Sequence, residues 1–362
     1  MEASKAESVL VAMSGGVDSS VSALLARDAG YDAAGVTLRM FDSEVLPEGM
    51  DSGCCSLGDV EDARQVAQGL GLEHFTFNFT GVFGREVMDR FCDAYLAGRT
   101  PNPCIDCNRY VKFRALQKRR RQLGFDYVAT GHYARRAFDE GTGRWNLLRG
   151  VDANKDQSYV LYHLSQDDLA HMIFPVGGLT KPEVRAIAAE HGFGNARKPE
   201  SEDICFVPDG DYAGFIERCR GRGAAFEPGP ILDAEGRELG RHRGLVHYTI
   251  GQRKGIGLAA PEPLYVLDKD VERNALVVGP RSALEVREVC ADEVNLIAVD
   301  ALDEPLRVTA RTHYRSAFQP GWALCEDGLL RVRFDAPVIR PAKGQSLVIY
   351  DGDVVVGGGT VI

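Results

Sequence analysis

Four short apolar runs, Val9–Met13, Ala33–Leu38, His74–Phe79 and Tyr127–Ala129, recur through the first third of the chain. Between them apolar residues fall at helical spacing over Asp59–Leu70 and Arg85–Ala97, where Met88, Phe91 and Tyr95 read as core positions and not as a cofactor box. Continuous apolar runs suit strands covered on both faces, and alternation of strands with helices predicts an α/β domain with a parallel sheet. Ligands of such sheets bind beyond the carboxyl ends of the strands. Ser14–Ser20, Met40 and Gly131-His132 all follow strand ends and are expected to share one crevice.

After about residue 210 the pattern shortens. Gly244–Ile250, Leu264–Asp268 and Ala275–Gly279 are strand-like pieces broken by Gly and Pro, and they predict a small β-rich central domain. Val308–Tyr314, Leu330–Phe334, Gln345–Tyr350 and Val354–Thr360 have the spacing of a C-terminal β-barrel or sandwich. The expected division is 1–210, 211–282 and 283–362.

The turn Ser14-Gly15-Gly16-Val17-Asp18-Ser19-Ser20 sits between the first strand and a helix. Small residues let backbone N–H groups close on an anion at the positive end of the helix, so the turn reads as a phosphate cradle. No Lys follows the glycines, which excludes the Walker pattern. The plainer alternative is a Ser/Gly turn with Asp18 as helix N-cap.

Composition narrows the class. With 44% hydrophobic and 26% charged residues in 362, the chain is ordinarily globular, and no apolar stretch approaches the roughly 20 residues of a membrane span. The start, Met1-Glu2-Ala3-Ser4-Lys5-Ala6-Glu7, lacks the features of a signal or transit peptide, so the expected compartment is the cytoplasm. A net charge of −10 taken alone argues against a nucleic-acid partner. Distribution argues the other way: Arg109, Lys112, Arg114, Lys118, Arg119, Arg120 and Arg121 form a basic run without an acid.

Nine cysteines, Cys54, Cys55, Cys92, Cys104, Cys107, Cys205, Cys219, Cys290 and Cys325, are an odd number that full pairing cannot satisfy. Pro101-Asn102-Pro103-Cys104-Ile105-Asp106-Cys107-Asn108 holds a C-x-x-C beside Arg109 and Lys112, cations that favour thiolate and hence a nucleophile. Cys205 stands apart in Ser201-Glu202-Asp203-Ile204-Cys205-Phe206. It has no second C-x-x-C or His pair beside it, which disfavours structural zinc, whereas three thiolates, Cys104, Cys107 and Cys205, suffice for an iron–sulfur cluster with one open iron. Cys219, Cys290 and Cys325 are expected to be inert packing. His74, His163, His171 and His191 lie in helical or strand patterns without ligand partners and are expected in packing or on the surface.

The glycine turn resembles the SGGxDS loop of the N-type ATP pyrophosphatases, which implies cleavage of ATP between the α and β phosphates. Together with the Pro-Asn-Pro-Cys-x-x-Cys-Asn turn and the Ser-Glu-Asp-Ile-Cys-Phe segment, the whole chain closely resembles the bacterial tRNA-specific 2-thiouridylase family. The likeness continues through Ala129–Tyr133, Asn154–Tyr159, Gly177–Lys181, Tyr248–Arg253 and Gly357–Gly359.

That resemblance implies adenylation of the C2 oxygen of a wobble uridine in tRNA, then sulfur transfer from a cysteine persulfide. Ala12, Met13, Ser14, Gly15, Gly16, Val17, Asp18 and Ser19 would hold the ATP phosphates, Met40 and Gly131 would flank adenine, and Asp18 would help position Mg2+. Cys107 matches the nucleophile, and Cys205 matches the persulfide carrier, loaded by a cysteine desulfurase or sulfur-relay protein. After transfer Cys107 would reduce the persulfide or release sulfide by forming a disulfide. Asn102, Pro103 and Cys104 match a segment touching the target base, which must be flipped out to be reached. His132, Lys155, Asp156, Gln157, His313, Tyr314 and Gln345 match further tRNA contacts. Many members carry Asp at the position of Cys104, and the usual Arg-Tyr is His313-Tyr314 here. The implied enzyme is a monomer.

Two other readings compete. A synthetase activating a carboxylate or citrulline needs no reactive cysteine pair, and amidation from glutamine needs an N-terminal Cys or an amidotransferase module that Met1-Glu2-Ala3 does not announce. A non-catalytic RNA-binding protein would use the basic run and the β-barrel without releasing pyrophosphate.

Overall fold

The computed structural model describes residues 6–41, 57–199 and 204–362. Cys54, Cys55 and Ser201-Glu202-Asp203 lie outside the described residues. The chain divides into two compact bodies, the first from Met1–Val87, Cys104–Gly210 and Asp353–Val355, the second from Met88–Pro103, Asp211–Gly352 and Val356–Ile362.

The first body is built on strands β1 (Ser8–Ala12), β2 (Asp32–Arg39), β3 (His74–Asn78) and β4 (Tyr127–Thr130). An antiparallel hairpin, β5 (Ala134–Asp139) and β6 (Arg144–Arg149), and the short β7 (Met172–Ile173) follow. The expected parallel sheet is present, with order β3-β2-β1-β4-β7 and Val9 facing both Ala33 and Tyr127. Central β1 is apolar on both faces because both are covered, and Val9, Leu10 and Val11 have no exposed surface. On one side Val9 and Val11 pack with Ala23, Leu24, Ala63 and Ala67 from helices Val17–Asp28 and Leu57–Gly69. Elsewhere Val17 and Val21 pack with Val184 and Ala188 of helix Lys181–Glu190. Each buried Val or Leu among these contributes about 1.5–3 kcal/mol of transfer free energy, each Ala less.

Helix Lys181–Glu190 begins with a capping box between Thr180 and Glu183, whose carboxylate is held below its usual pKa by the Thr180 donors. Helix Val17–Asp28 begins differently. Its N-cap is Gly16 in an extended conformation with no side-chain cap, so Asp18 is not the cap that the plainer reading of the turn required.

In the second body β8 (Gly229–Leu232), β9 (Glu238–His242), β10 (Tyr265–Asp270) and β11 (Ala275–Gly279) form a small sheet of order β10-β11-β8-β9. The strand expected at Gly244–Ile250 is instead a short helical turn, Leu245–His247. Gly244 launches it at φ +118, and Leu245, Val246 and Tyr248 are buried, so the apolar run there fills a core without extending. Six further strands, β12 (Glu285–Leu296), β13 (Leu306–Arg311), β14 (Gln319–Glu326), β15 (Leu329–Ile339), β16 (Ser346–Asp351) and β17 (Val354–Val361), close into a barrel through β12 and β17, with Ala291 facing Val361. Its interior holds Val289, Val308, Ala323, Leu330, Val332, Phe334, Leu347 and Ile349. Two of its strands, β12 and β14, were not legible in the apolar pattern. Among the described residues no helix is long and apolar enough to cross a membrane.

Candidate active site

At the carboxyl ends of β1, β2 and β4 the first body opens a cavity of about 320 Å³. Ser14, Met40, Gly131 and His132 all line it, so the crevice expected from the strand ends is present. Its floor is anchored from below. Met13 N donates to Val36 O at 2.8 Å, and Thr37 Oγ1 donates to Met13 O at 2.8 Å. Gly15 takes φ +74, and a Cβ there would stand 2.4 Å from Asp59 O, so only glycine fits. Asn195 Nδ2 holds Gly15 O at 2.9 Å and Ser20 Oγ at 2.8 Å, while Ser14 N donates to Ser19 Oγ at 3.1 Å.

The charges of the cavity come from distant parts of the chain. Lys181 Nζ donates to both Asp18 carboxylate oxygens at 2.8 Å, and Tyr133 OH donates to Asp18 Oδ1 at 2.7 Å. Lys198 Nζ reaches Asp59 at 2.7 Å and Asp62 at 2.6 Å. Partial burial works against the Lys198 charge, but these two carboxylates hold its pKa above the ordinary value. With Lys112, three ammonium groups line the wall beside Asp18 and Asp59, and Asp62 offsets Lys198 from outside it. Ammonium donors beside a helix N-terminus without a side-chain cap suit a polyanion. His132 adds no charge: burial first, then Lys112, hold its pKa well below 6.5, and its Nδ1 lies 2.8 Å from Thr130 Oγ1.

Cys107 opens a π-helical stretch, Cys107–Ala115, a local widening of the kind that often marks functional sites. Its thiol is buried, 3.8 Å from the Met40 sulfur in the cavity wall. Asn108 Nδ2 ties this helix start to Val160 O at 3.0 Å. Cys205 is half-buried beside Phe206, whose ring meets Phe83 at 5.7 Å. Phe83 in turn meets Phe41, the neighbour of Met40, at 5.6 Å. Aromatic contacts thus link the Cys205 segment to Phe41, next to the Met40 that Cys107 touches. Cys104 is exposed.

Other expected site residues are placed less uniformly. Gln157 lines the cavity and accepts from Tyr133 N at 2.9 Å. Asp156 is buried and faces inward, accepting from Gly150 N and Ser158 N at 3.1 Å, whereas Lys155 is half-exposed. In the second body Gln345 Nε2 donates to Thr100 O at 2.7 Å, which fixes the chain two residues before Asn102-Pro103. His313 and Tyr314 are exposed on the loop after β13, and partial desolvation of the imidazole, then Arg311, hold His313 below its ordinary pKa. The basic run is not one solvated face. Arg120 is buried, donating to Gln117, Phe125 O and Asp126 O at 2.6, 3.0 and 2.8 Å. Among the described residues no three His, Cys, Asp or Glu side chains converge closely enough to hold a metal ion.

Sequence reasoning did not single out Lys181, Lys198, Asp59 or Tyr133. Lys181 lies 163 residues from its partner Asp18, and no local spacing links them. The only signal was its place in Gly177–Lys181, one of the segments that carried the family resemblance.

A glycine turn, an uncapped helix start and three converging lysines define an anion-binding α/β domain. Residues 7–209 match the family model described as tRNA methyl transferase HUP domain. Residues 219–280 match the tRNA methyl transferase PRC-barrel domain, and 286–361 the aminomethyltransferase beta-barrel domain. Full-length relatives carry a different name. The tRNA-specific 2-thiouridylase MnmA of Moorella thermoacetica is 51% identical over 97% of this chain and 98% of its own. That of Heliobacterium modesticaldum is 49% identical over 98% and 92%, and that of Clostridioides difficile 45% over 98% and 97%. The chain belongs to the tRNA-specific 2-thiouridylase family.

Proposed function

We propose that this chain is a tRNA-uridine 2-sulfurtransferase that adenylates the C2 oxygen of a wobble uridine and replaces it with sulfur. The observation that carries this reading is near-complete alignment with 2-thiouridylases, joined to a lysine-rich cavity with the Cys107 thiol directly behind its wall residue Met40. The methyl-transferase wording of the domain names is set aside, because the relatives aligned along almost their whole length are thiouridylases.

In the first step the uridine O2 attacks the α-phosphorus of ATP, and pyrophosphate leaves. Ala12–Ser19 cradle the phosphates, Lys181 and Lys198 offset the charge that builds on the leaving pyrophosphate, and Met40 and Gly131 flank adenine. Asp18 would help hold Mg2+ brought by ATP, in exchange for part of its contact with Lys181, and the ion would supply further neutralisation of the phosphates.

In the second step sulfur bonds to C2, and the C2–O bond breaks with AMP as leaving group. Cys205 carries the sulfane sulfur as a persulfide. Cys107 attacks Cys205, so the sulfane sulfur leaves at the sulfide level and the two thiols become a disulfide, which a thiol reductant resets. Among the described residues Cys104, Cys107 and Cys205 do not form a grouped metal site, and we carry the sulfur chemistry on the thiols.

We assign adenylation and sulfur transfer to residues 1–210, a β-rich connection to 211–282 and tRNA contact to 283–362. Asn102, Pro103 and Cys104 face the flipped base, while His132, Lys155, Gln157, His313 and Tyr314 contact the tRNA. Asp156 and Gln345 position the loops that present these contacts. We infer a monomer that works in the cytoplasm, where tRNA and a persulfide-donor protein would meet it.

The test supplies reduced protein with Mg-ATP, unmodified tRNA and a sulfur donor, and quantifies 2-thiouridine by nucleoside mass spectrometry. ATP-dependent product is expected from the wild type, none from Cys107→Ala, and none from Cys205→Ala when a persulfide protein is the donor. AMP and pyrophosphate without 2-thiouridine would overturn the tRNA assignment.

A further inference from the structure

In the second body helix Arg90–Leu96 lies against helix Tyr212–Arg220. Phe91 meets Tyr212 at 5.9 Å and Phe215 at 6.0 Å, and Tyr95 meets Tyr212 at 6.1 Å. Arg220 reaches back across the contact to Asp89 at 2.7 Å and Asp93 at 3.2 Å. Rings and ion pairs therefore hold the two helices in one arrangement. Within that contact Cys92 and Cys219 lie close enough for each thiol to shift the other's pKa. Cys92 is buried, and Cys219, expected as inert packing, is exposed. One sulfur is thus open to a small oxidant, and a second waits directly behind it.

We propose that Cys92 and Cys219 form an oxidation site, in which a peroxide oxidises Cys219 and Cys92 resolves it to a disulfide joining the two helices. The Cys219 thiolate takes an oxygen from the peroxide to give a sulfenic acid, and hydroxide leaves. Sulfur of Cys92 then attacks Cys219, the S–O bond breaks, and the Cys92 proton leaves with that oxygen as water. Per disulfide, one peroxide is reduced to two waters and two thiols lose two electrons. The asymmetry of the pair supports this order. Burial pushes Cys92 up to about 12, so it keeps its proton. Burial also raises Cys219, but the neighbouring Cys92 and the charges of Arg220 and Arg218 pull the other way. With both thiols above their ordinary range, oxidation is slow at neutral pH and quickens as pH rises. The disulfide would tie helix Arg90–Leu96 covalently just before the segment that Gln345 anchors at Thr100.

The experiment treats the reduced full chain with a small excess of hydrogen peroxide, alkylates remaining thiols, digests, and maps peptides by mass spectrometry with and without reductant. A reductant-sensitive Cys92–Cys219 crosslink is expected, forming several-fold faster at pH 8.5 than at pH 7. Cys92→Ser should abolish it and leave a Cys219 sulfenic acid that dimedone traps. Cys219→Ser, at an exposed position, should abolish the crosslink while basal 2-thiouridine formation stays unchanged. Both thiols still alkylated, while Cys104, Cys107 or Cys205 peptides are oxidised, would overturn the proposal. A Cys219 sulfenic acid that persists in the wild type would also overturn it, because Cys92 then does not resolve.

Discussion

Gly131 is the tightest point between the end of β4 and the phosphate turn, and Gly131→Ala tests whether that closeness positions the site. A Cβ there would stand 2.8 Å from Ser19 N, 2.9 Å from the Asp18 carbonyl carbon and 3.2 Å from Asp18 Cβ, against ordinary contact at 3.4–4 Å. The first two atoms are backbone and cannot swing aside. About 0.6 Å of separation must open between β4 and the start of helix Val17–Asp28, an overpacking that costs about 1–3 kcal/mol. Because an error of 1 Å in alignment costs on the order of 100-fold, a shift of roughly half that size should raise the KM for ATP or lower kcat by about tenfold. Gly178→Ala is the control, since a methyl group there meets nothing within 4 Å. Thermal unfolding and the ATP dependence of pyrophosphate release would be measured on both variants. If Gly131→Ala matched the wild type in both, the claim that β4 sets the phosphate turn would be wrong.

Lys181→Met removes the ammonium that holds both Asp18 oxygens, and should cost about 1–3 kcal/mol of stability and on the order of 100-fold in ATP-dependent AMP formation; unchanged AMP formation would take Lys181 out of the reaction. Arg120→Met should lower stability by about 2–3 kcal/mol by leaving the Phe125 and Asp126 carbonyls without their donor. Arg119→Glu with Arg121→Glu should leave the melting temperature nearly unchanged, yet weaken tRNA binding and flatten its salt slope by about one to two. Equal effects of the two changes on the salt slope would contradict the separation. His132 has a folded pKa well below its unfolded value near 6.5, so the unfolded chain binds the extra proton. Its share of stability is present above about pH 6.5 and declines as pH falls, by up to about 1.4 kcal/mol per unit. Equilibrium unfolding of His132→Gln between pH 5 and 7 should show a shallower decline, and an identical decline would remove His132 from the account.

The strands of the first body were legible because β1, β2 and β4 are buried on both faces and read as unbroken apolar runs. Hairpin β5–β6 was not, since Arg135, Arg136, Arg144 and Arg149 interrupt its alternation. These cations are held by the fold itself: Arg136 donates to Ala170 O at 2.7 Å and stacks on Trp145 at 4.3 Å. The phosphate turn announced itself by glycine and position. The cations that complete it did not, because Lys181 and Lys198 meet Asp18 and Asp59 only after the chain has folded around the sheet. Arg109–Arg121 shows the opposite error: in sequence the run looks uniform, but the fold buries Arg120 to cap a loop and leaves Arg119 and Arg121 outside. Cys92 and Cys219 are isolated in sequence and adjacent in space, a pairing that only helix packing creates.

The central claim is that ATP activates the uridine oxygen that sulfur then replaces, and oxygen labelling tests it most directly. A tRNA transcript carrying 18O at C2 of the wobble uridine would be thiolated in a single turnover, and the released AMP analysed by mass spectrometry. The account predicts one 18O in AMP for each 2-thiouridine formed. Unlabelled AMP beside 2-thiouridine, with the label in water or pyrophosphate, would contradict it.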